Sequence, residues 1–253
     1  MRRLCLLALL ASPLALAETS VTVDTNSFIK LPALTGTLSL DRVVIADHGT
    51  LVVPASITEL KVGELRMGRD ARIGIASADQ PFRLEVTQGE IATGGHITAS
   101  GAAGSMKKPA SDGRDLTLRL GTVAVDELTV DVRGGIGAPG YSGLAGADGK
   151  PGGCLWGQAS RGHDGQNGGN GGEGGKGGHI RLEVAQDFPL EQVRARVEGG
   201  AGGPAGEAGA PGAGGAAKGC LVYSTDRGQK GRAGQPGQAG PAGTNGRMDV
   251  VRY

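Results

Sequence analysis

The sequence predicts an all-β protein: a β-solenoid-like or sandwich strand scaffold carrying two projecting hairpins of three-residue-per-turn glycine helix that pack as a bundle. Three observations predict it. Short aliphatic and β-branched stretches alternate with polar residues over about 18–133. Beyond that, glycine recurs at every third position in four runs. The runs form two matched pairs, each with one cysteine between its outward and returning member.

The chain begins "MRRLCLLALLASPLALA": two arginines, an apolar stretch, then a small-x-small ending at Ala15 and Ala17. This is the pattern of a secretory signal cleaved after Ala17. Its apolar run falls short of the ~20 residues a membrane span needs. Residues 1–17 are thus expected as a leader, with the remainder exported to the periplasm, the cell surface or the medium. No later stretch is apolar enough to span a bilayer. Beyond the leader only Cys154 and Cys220 remain, and two cysteines in an exported chain point to one disulfide. A net charge of +1 gives no signature of binding to nucleic acid or to an acidic membrane.

Region 18–114 reads as the strand scaffold. "SVTVDT", "GTLSLDRVVIA", "GTLVV", "ITELKV" and "FRLEV" are strand-like and are punctuated by Gly, Asp and Pro. Their similar grammar favours a solenoid over a sandwich. Two repeat units follow, 115–178 and 179–253, each opening on strands ("LTLRL" and "ELTVDV", then "HIRLEV" and "VRARV") before its glycine runs.

Of the 49 glycines, 37 lie between 134 and 246. The runs at 134–152, 162–177, 200–215 and 228–246 hold seven, six, six and seven glycines in unbroken register. A flexible linker keeps no such period. A period of three suits an extended left-handed helix without internal hydrogen bonds. Its N–H and C=O groups must then find neighbouring segments, and glycine lets the backbones approach. Gly134 and Gly200, Cys154 and Cys220, and Gly162 and Gly228 are each 66 residues apart, the mark of a tandem duplication. The run at 162–177, whose stretch "GQNGGNGGEGGKGG" has glycine at about two positions in three, is expected inside the bundle and the other three outside. At ~3.1 Å per residue an outward run would reach roughly 55–60 Å.

"GAPGYSGLAGADGKPGG" and "GQPGQAGPAG" superficially resemble collagen-like triplets, yet the runs are short, 162–178 lacks proline, and each must leave and return within one chain. The region more closely resembles the secreted glycine-rich proteins of polyglycine II bundle type, found among arthropod antifreeze proteins and phage tail-tip adhesins. That resemblance implies a bundle of polyglycine II helices and says little about function.

Catalytic grammar is sparse. His48, His96, His163 and His179 have no metal-binding spacing, and no nucleophile elbow occurs. "RMGRDARIG" and "DGRD" read as solvated turns. Glu59, Glu64, Arg66, Arg69 and Asp70 form no acid–base pair by spacing. No catalytic, cofactor or metal residue is assigned. The cysteine loops "GGCLWGQASRG" and "KGCLVYSTDRG" are more informative. Cys154 and Cys220 occupy equivalent positions and are expected to bridge. Trp156, Arg161, Tyr223, Asp226 and Arg227 are the candidate contacts of a projecting tip, since aromatics anchor interfaces and sugars. Alternatively Leu155, Trp156, Leu221, Val222 and Tyr223 form an apolar plug.

The resulting expectation is an exported structural or adhesin-like module whose tip meets a surface, glycan or protein partner, with self-association as a further possibility. The alternative is a carbohydrate-processing enzyme or polysaccharide-binding solenoid. Scattered Lys, Asp, Glu and Gln argue against ice binding.

Overall fold

A computed structural model describes residues 19–154 and 157–253. The expected leader and Trp156 lie outside the described residues. Among the described residues the regular structure is all strand, save one 3-10 turn at Leu190–Gln192.

The predicted alternation becomes two large sheets, and every pairing in them is parallel. The first contains β1 (Ser20–Val23), β3 (Gly36–Ile45), β5 (Ile57–Met67), β7 (Phe82–Ile91), β9 (Leu116–Val125), β11 (Ile180–Val184) and β15 (Met248–Arg252), in that order. The second contains β2 (Phe28–Lys30), β4 (Thr50–Val53), β6 (Arg72–Ile75), β8 (Gly95–Thr98), β10 (Leu128–Asp131) and β12 (Val193–Arg196). The chain therefore alternates between sheets, and each strand pairs with the next one laid down in its own sheet.

The long strands of the first sheet change phase midway. In β5, Leu60 and Val62 are buried, then Leu65 and Met67; Gly63 and Glu64 intervene and reset the alternation. The same slip falls at Asp41, Thr87 and Gly121 in the neighbouring strands. The sheet thus turns a corner, and both halves direct their apolar residues inward. Identical chemistry stacks from strand to strand. Leu60, Leu84, Leu118 and Leu182 share one register row, and Leu51, Ile73, Ile97 and Val130 another. The core is aliphatic apart from Phe82 and Phe188. Each fully buried aliphatic side chain contributes about 1.5–3 kcal/mol.

Outward positions carry charge. Glu59 meets Lys61 and Arg83; Glu183 meets Arg181 at 2.9 Å and Arg83 at 3.1 Å. Of these pairs Glu59 and Arg83 face each other on adjacent strands, and such a cross-strand pair supports the register modestly, by roughly 0.2–1 kcal/mol.

Passage from the second sheet back to the first always crosses the same corner. Early crossings are short: 31–35, 54–56 and 76–81. Later ones carry the glycine-rich segments: 99–115 between β8 and β9, 132–179 between β10 and β11, and 197–247 between β12 and β15. The expected two repeat units therefore share one point of departure. Arg114, in the "DGRD" stretch expected to be a solvated turn, is 1 % exposed at that corner. Its guanidinium donates to main-chain carbonyls instead of meeting water.

Candidate functional site: the stapled tip of the glycine-rich segments

Among the described residues no hydrogen bond joins two members of the same glycine run; the bonds go between runs. Gly137, Gly140, Gly143, Gly146 and Gly149 donate to Ala201, Pro204, Glu207, Ala210 and Ala213 at 2.8–2.9 Å. Returning segment residues His163, Gln166, Gly169, Gly172 and Gly175 donate to Ala147, Leu144, Tyr141, Ala138 and Gly135 at 2.7–2.9 Å. The run at 200–215 donates to 160–175, the run at 162–177 also donates to 229–244, and the run at 228–246 donates back to 197–215. Every bond pattern repeats at three residues.

Two runs are interior, not one. The run at 162–177 bonds to all three others, as expected from its glycine content. So does the run at 200–215, expected outside, whose Gly203, Gly206, Gly209, Gly212 and Gly215 are all buried. Its alanines and prolines lie at the remaining, more open positions, so one glycine face suffices where the packing angle leaves room for Cβ atoms. Adjacent runs are antiparallel in sequence pairs such as 134–152 with 160–178, which distinguishes the arrangement from three parallel collagen strands.

Polar side chains complete the backbone pairing. Asp164, Asn167 and Asn170, three residues apart, accept the N–H groups of Arg232, Gln235 and Gln238 at 2.6, 2.8 and 2.9 Å. Asp148 accepts from Ala213 N–H at 2.6 Å. These side chains take the donors that no neighbouring carbonyl reaches.

At the far end, Cys154 and Cys220 are disulfide-bonded, with Cα atoms 5.7 Å apart and 66 residues between them. The equal offset of the two cysteines from their runs brings them to one height, as the duplication predicts. A two-stranded antiparallel ribbon, β13 (Lys218–Gly219) and β14 (Ser224–Thr225), forms the apex. Cys220 N–H donates to the Tyr223 carbonyl at 2.8 Å. The Tyr223 hydroxyl donates to the Gly153 carbonyl at 2.9 Å, joining the two loops. Thr225 is buried beneath them, its Oγ1 accepting Lys218 N–H at 3.0 Å.

The sequence-derived candidates separate here. Tyr223 is half-exposed and serves partly as a tie between the loops. Arg161 pairs with Asp164 at 2.6 Å on the side of the bundle. Asp226 and Arg227 are exposed beside the apex. Leu221 and Val222, assigned in sequence only to a plug, are 106 % and 93 % exposed. Among the described residues they cover nothing; Leu155 and Trp156, the other members of the expected plug, lie outside the described residues. The identity of Leu221 and Val222 as turn-centre residues was the missed signal.

The second charged cluster singled out from sequence is used within the scaffold. Glu64 meets Arg42 and Arg66, and Asp47 receives Arg69. The Arg66 and Arg42 guanidiniums hold the Glu64 carboxyl below the usual range. Among the described residues no group of three or more His, Cys, Asp or Glu side chains is arranged to hold a metal. A cleft of about 510 Å³ near Arg114, lined by Asp79, Asp112, Asp115, Lys176 and His179, lies at the base of the segments. There Asp112 and Asp115 accept the N–H groups of Lys176 and His179, each 64 residues away, so they anchor the insertion. No helix of the described residues is long and apolar enough to cross a membrane. The chain matches no protein-family model, no curated protein and no solved structure.

Proposed function

We propose that the chain is an exported structural or adhesin-like module without catalytic activity. In this reading a β-solenoid base carries polyglycine II hairpins at one corner, and these hold a stapled tip away from the base for contact with a surface, glycan or protein. The regular parallel pairing of successive strands supports the solenoid. The three-residue period of the bonds between runs, with none inside a run, supports polyglycine II.

One observation carries the functional part: Leu221 and Val222 are fully exposed on a turn fixed by the Cys154–Cys220 disulfide and the Tyr223–Gly153 hydrogen bond. Exposed apolar groups on a rigid support bind without a large ordering cost. The test is attachment of the purified protein to intact cell surfaces, glycan panels and immobilised proteins. The Leu221→Ser, Val222→Ser double variant is expected to lose attachment while its melting temperature stays within a degree or two of wild type. Attachment retained in full by this variant would remove the tip from the functional account.

A further inference from the structure

Turn centres ordinarily hold Gly, Asn, Asp or Pro, each for a conformational or hydrogen-bonding reason. The reversal between β13 and β14 has Leu221 and Val222 at its centre. Neither residue serves turn geometry, and neither is buried among the described residues. Both side chains are fully exposed. The turn that bears them is fixed on three counts: the Cys220–Tyr223 main-chain bond, the Tyr223 hydroxyl on Gly153, and the disulfide.

The surroundings of this aliphatic pair are basic. Lys218, Arg227 and Lys150 lie at or next to the apex, and Lys230 and Arg232 follow farther down the returning run; all five are exposed and enter no ion pair among the described residues. Arg161 is neutralised by Asp164. The other nearby carboxylates are Asp148, which accepts the Ala213 N–H, and Asp226. Positive charge therefore concentrates at the apex of a chain whose overall formal charge is only +1.

We infer that the apex docks on an anionic lipid bilayer, with Leu221 and Val222 entering the acyl boundary and Lys218, Arg227 and Lys150 lying at the headgroups. This rests on the reading of the tip as the contact end and names its target. The combination favours lipid over a protein pocket. Protein interfaces are depleted of lysine at their cores. A bilayer takes aliphatic tips and leaves flexible lysine and arginine stems at the phosphate level. Juxtaposed cations add attraction to anionic headgroups.

The experiment is vesicle co-sedimentation with phosphatidylcholine alone and with phosphatidylcholine plus phosphatidylglycerol. Binding is expected on the anionic vesicles, weak on the neutral ones, and reduced by salt. Leu221→Ser with Val222→Ser should lower partition roughly tenfold or more. Lys218→Gln with Arg227→Gln should lower anionic-vesicle binding by about 25-fold, about fivefold per charge at the surface. In Leu221→Trp, the added fluorescence should shift to the blue and be quenched by brominated acyl chains. Absence of binding to anionic vesicles, binding indifferent to the serine pair, or unquenched Leu221→Trp would each overturn the inference. The serine pair is run in parallel on the cell-surface, glycan and protein panel. Loss there without any vesicle binding rejects lipid and leaves the contact-end reading; indifference in both assays rejects both.

Discussion

Arg114 donates an Nη2–H to the carbonyl of Ile57, 57 residues earlier in the chain, at 3.1 Å. Its Nε reaches the Gln80 carbonyl at 2.7 Å and its Nη1 the Ala76 carbonyl at 3.2 Å, while the guanidinium lies 5.2 Å from the centre of the Phe82 ring. Burial pulls its pKa below the ordinary arginine value, yet arginine stays charged throughout the accessible range. One cation thus caps three carbonyls at the corner from which the glycine segments leave.

Replacing Arg114 by Leu leaves those carbonyls buried without donors. The expected loss is about 3 kcal/mol of unfolding free energy, read from the denaturant midpoint. Arg114→Lys should recover only part of it, because one ammonium cannot reproduce the planar fork. A leucine variant as stable as wild type would show that water reaches these groups.

Gly171 and Gly172 are adjacent and unequal. A Cβ on Gly171 would fall on the Gly203 carbonyl, well inside contact distance, whereas one on Gly172 would meet Ala138 N at 3.1 Å and the Ala138 side chain at 3.5 Å. Gly171→Ala is therefore expected to destabilise by at least about 2 kcal/mol more than Gly172→Ala, as overpacking against fixed backbone. Asn170→Ala, which loses the acceptor of Gln238 N–H, should cost about 1 kcal/mol. Thermal melts of the three variants, with amide exchange over 162–178, give the ranking; equal effects at the two glycines would contradict the packing.

The Cys154–Cys220 bond closes a loop of 66 residues. The chain-entropy model assigns such a crosslink roughly 4 kcal/mol, an upper figure for a bond at the end of long segments. Non-reducing mass spectrometry should find a monomer two protons light, with a 154–220 crosslinked peptide. Reductant should lower the melting temperature and speed exchange at 216–226 before it affects β5 or β7. A covalent dimer would be the contrary result.

Glu183 lies between Arg181 and Arg83, and their guanidiniums hold its carboxyl below the ordinary glutamate range. A depressed folded-state pKa gives stability that is present above the unfolded value, ~4.3, and lost as pH falls through the lowered one. Melting temperatures between pH 7 and pH 3 should therefore fall less steeply for Glu183→Gln than for wild type. Parallel curves would show that the pair is screened.

Local patterns proved legible where one residue type served one purpose. Alternation in "ITELKVGELRM" marked a strand, and the glycine period marked segments whose bonds go to one another. The matched positions of Cys154 and Cys220 marked their pairing, since duplicated units of equal length end at equal height. What was illegible depends on three-dimensional neighbours. Nothing local distinguishes Arg114 in "DGRD" from a solvated arginine, because its partners are Ile57, Ala76 and Gln80. The interior place of 200–215 was hidden because glycine content alone does not tell how many neighbours a run has. Leu221 and Val222 suggest a plug in the sequence because apolar residues usually seek cover.

Registers in the first sheet widen as the crossing at the common corner lengthens: Thr37 meets Glu59 after 22 residues, whereas Arg181 meets Asp249 after 68. Closing the longer excursion costs only about 1 kcal/mol more in chain entropy than closing the shorter one, because the cost grows with the logarithm of length. The stacked strands therefore scarcely register how far the chain has travelled before it returns. The apex can be lengthened, shortened or exchanged while the strands below keep their partners, so the excursion is free to diversify.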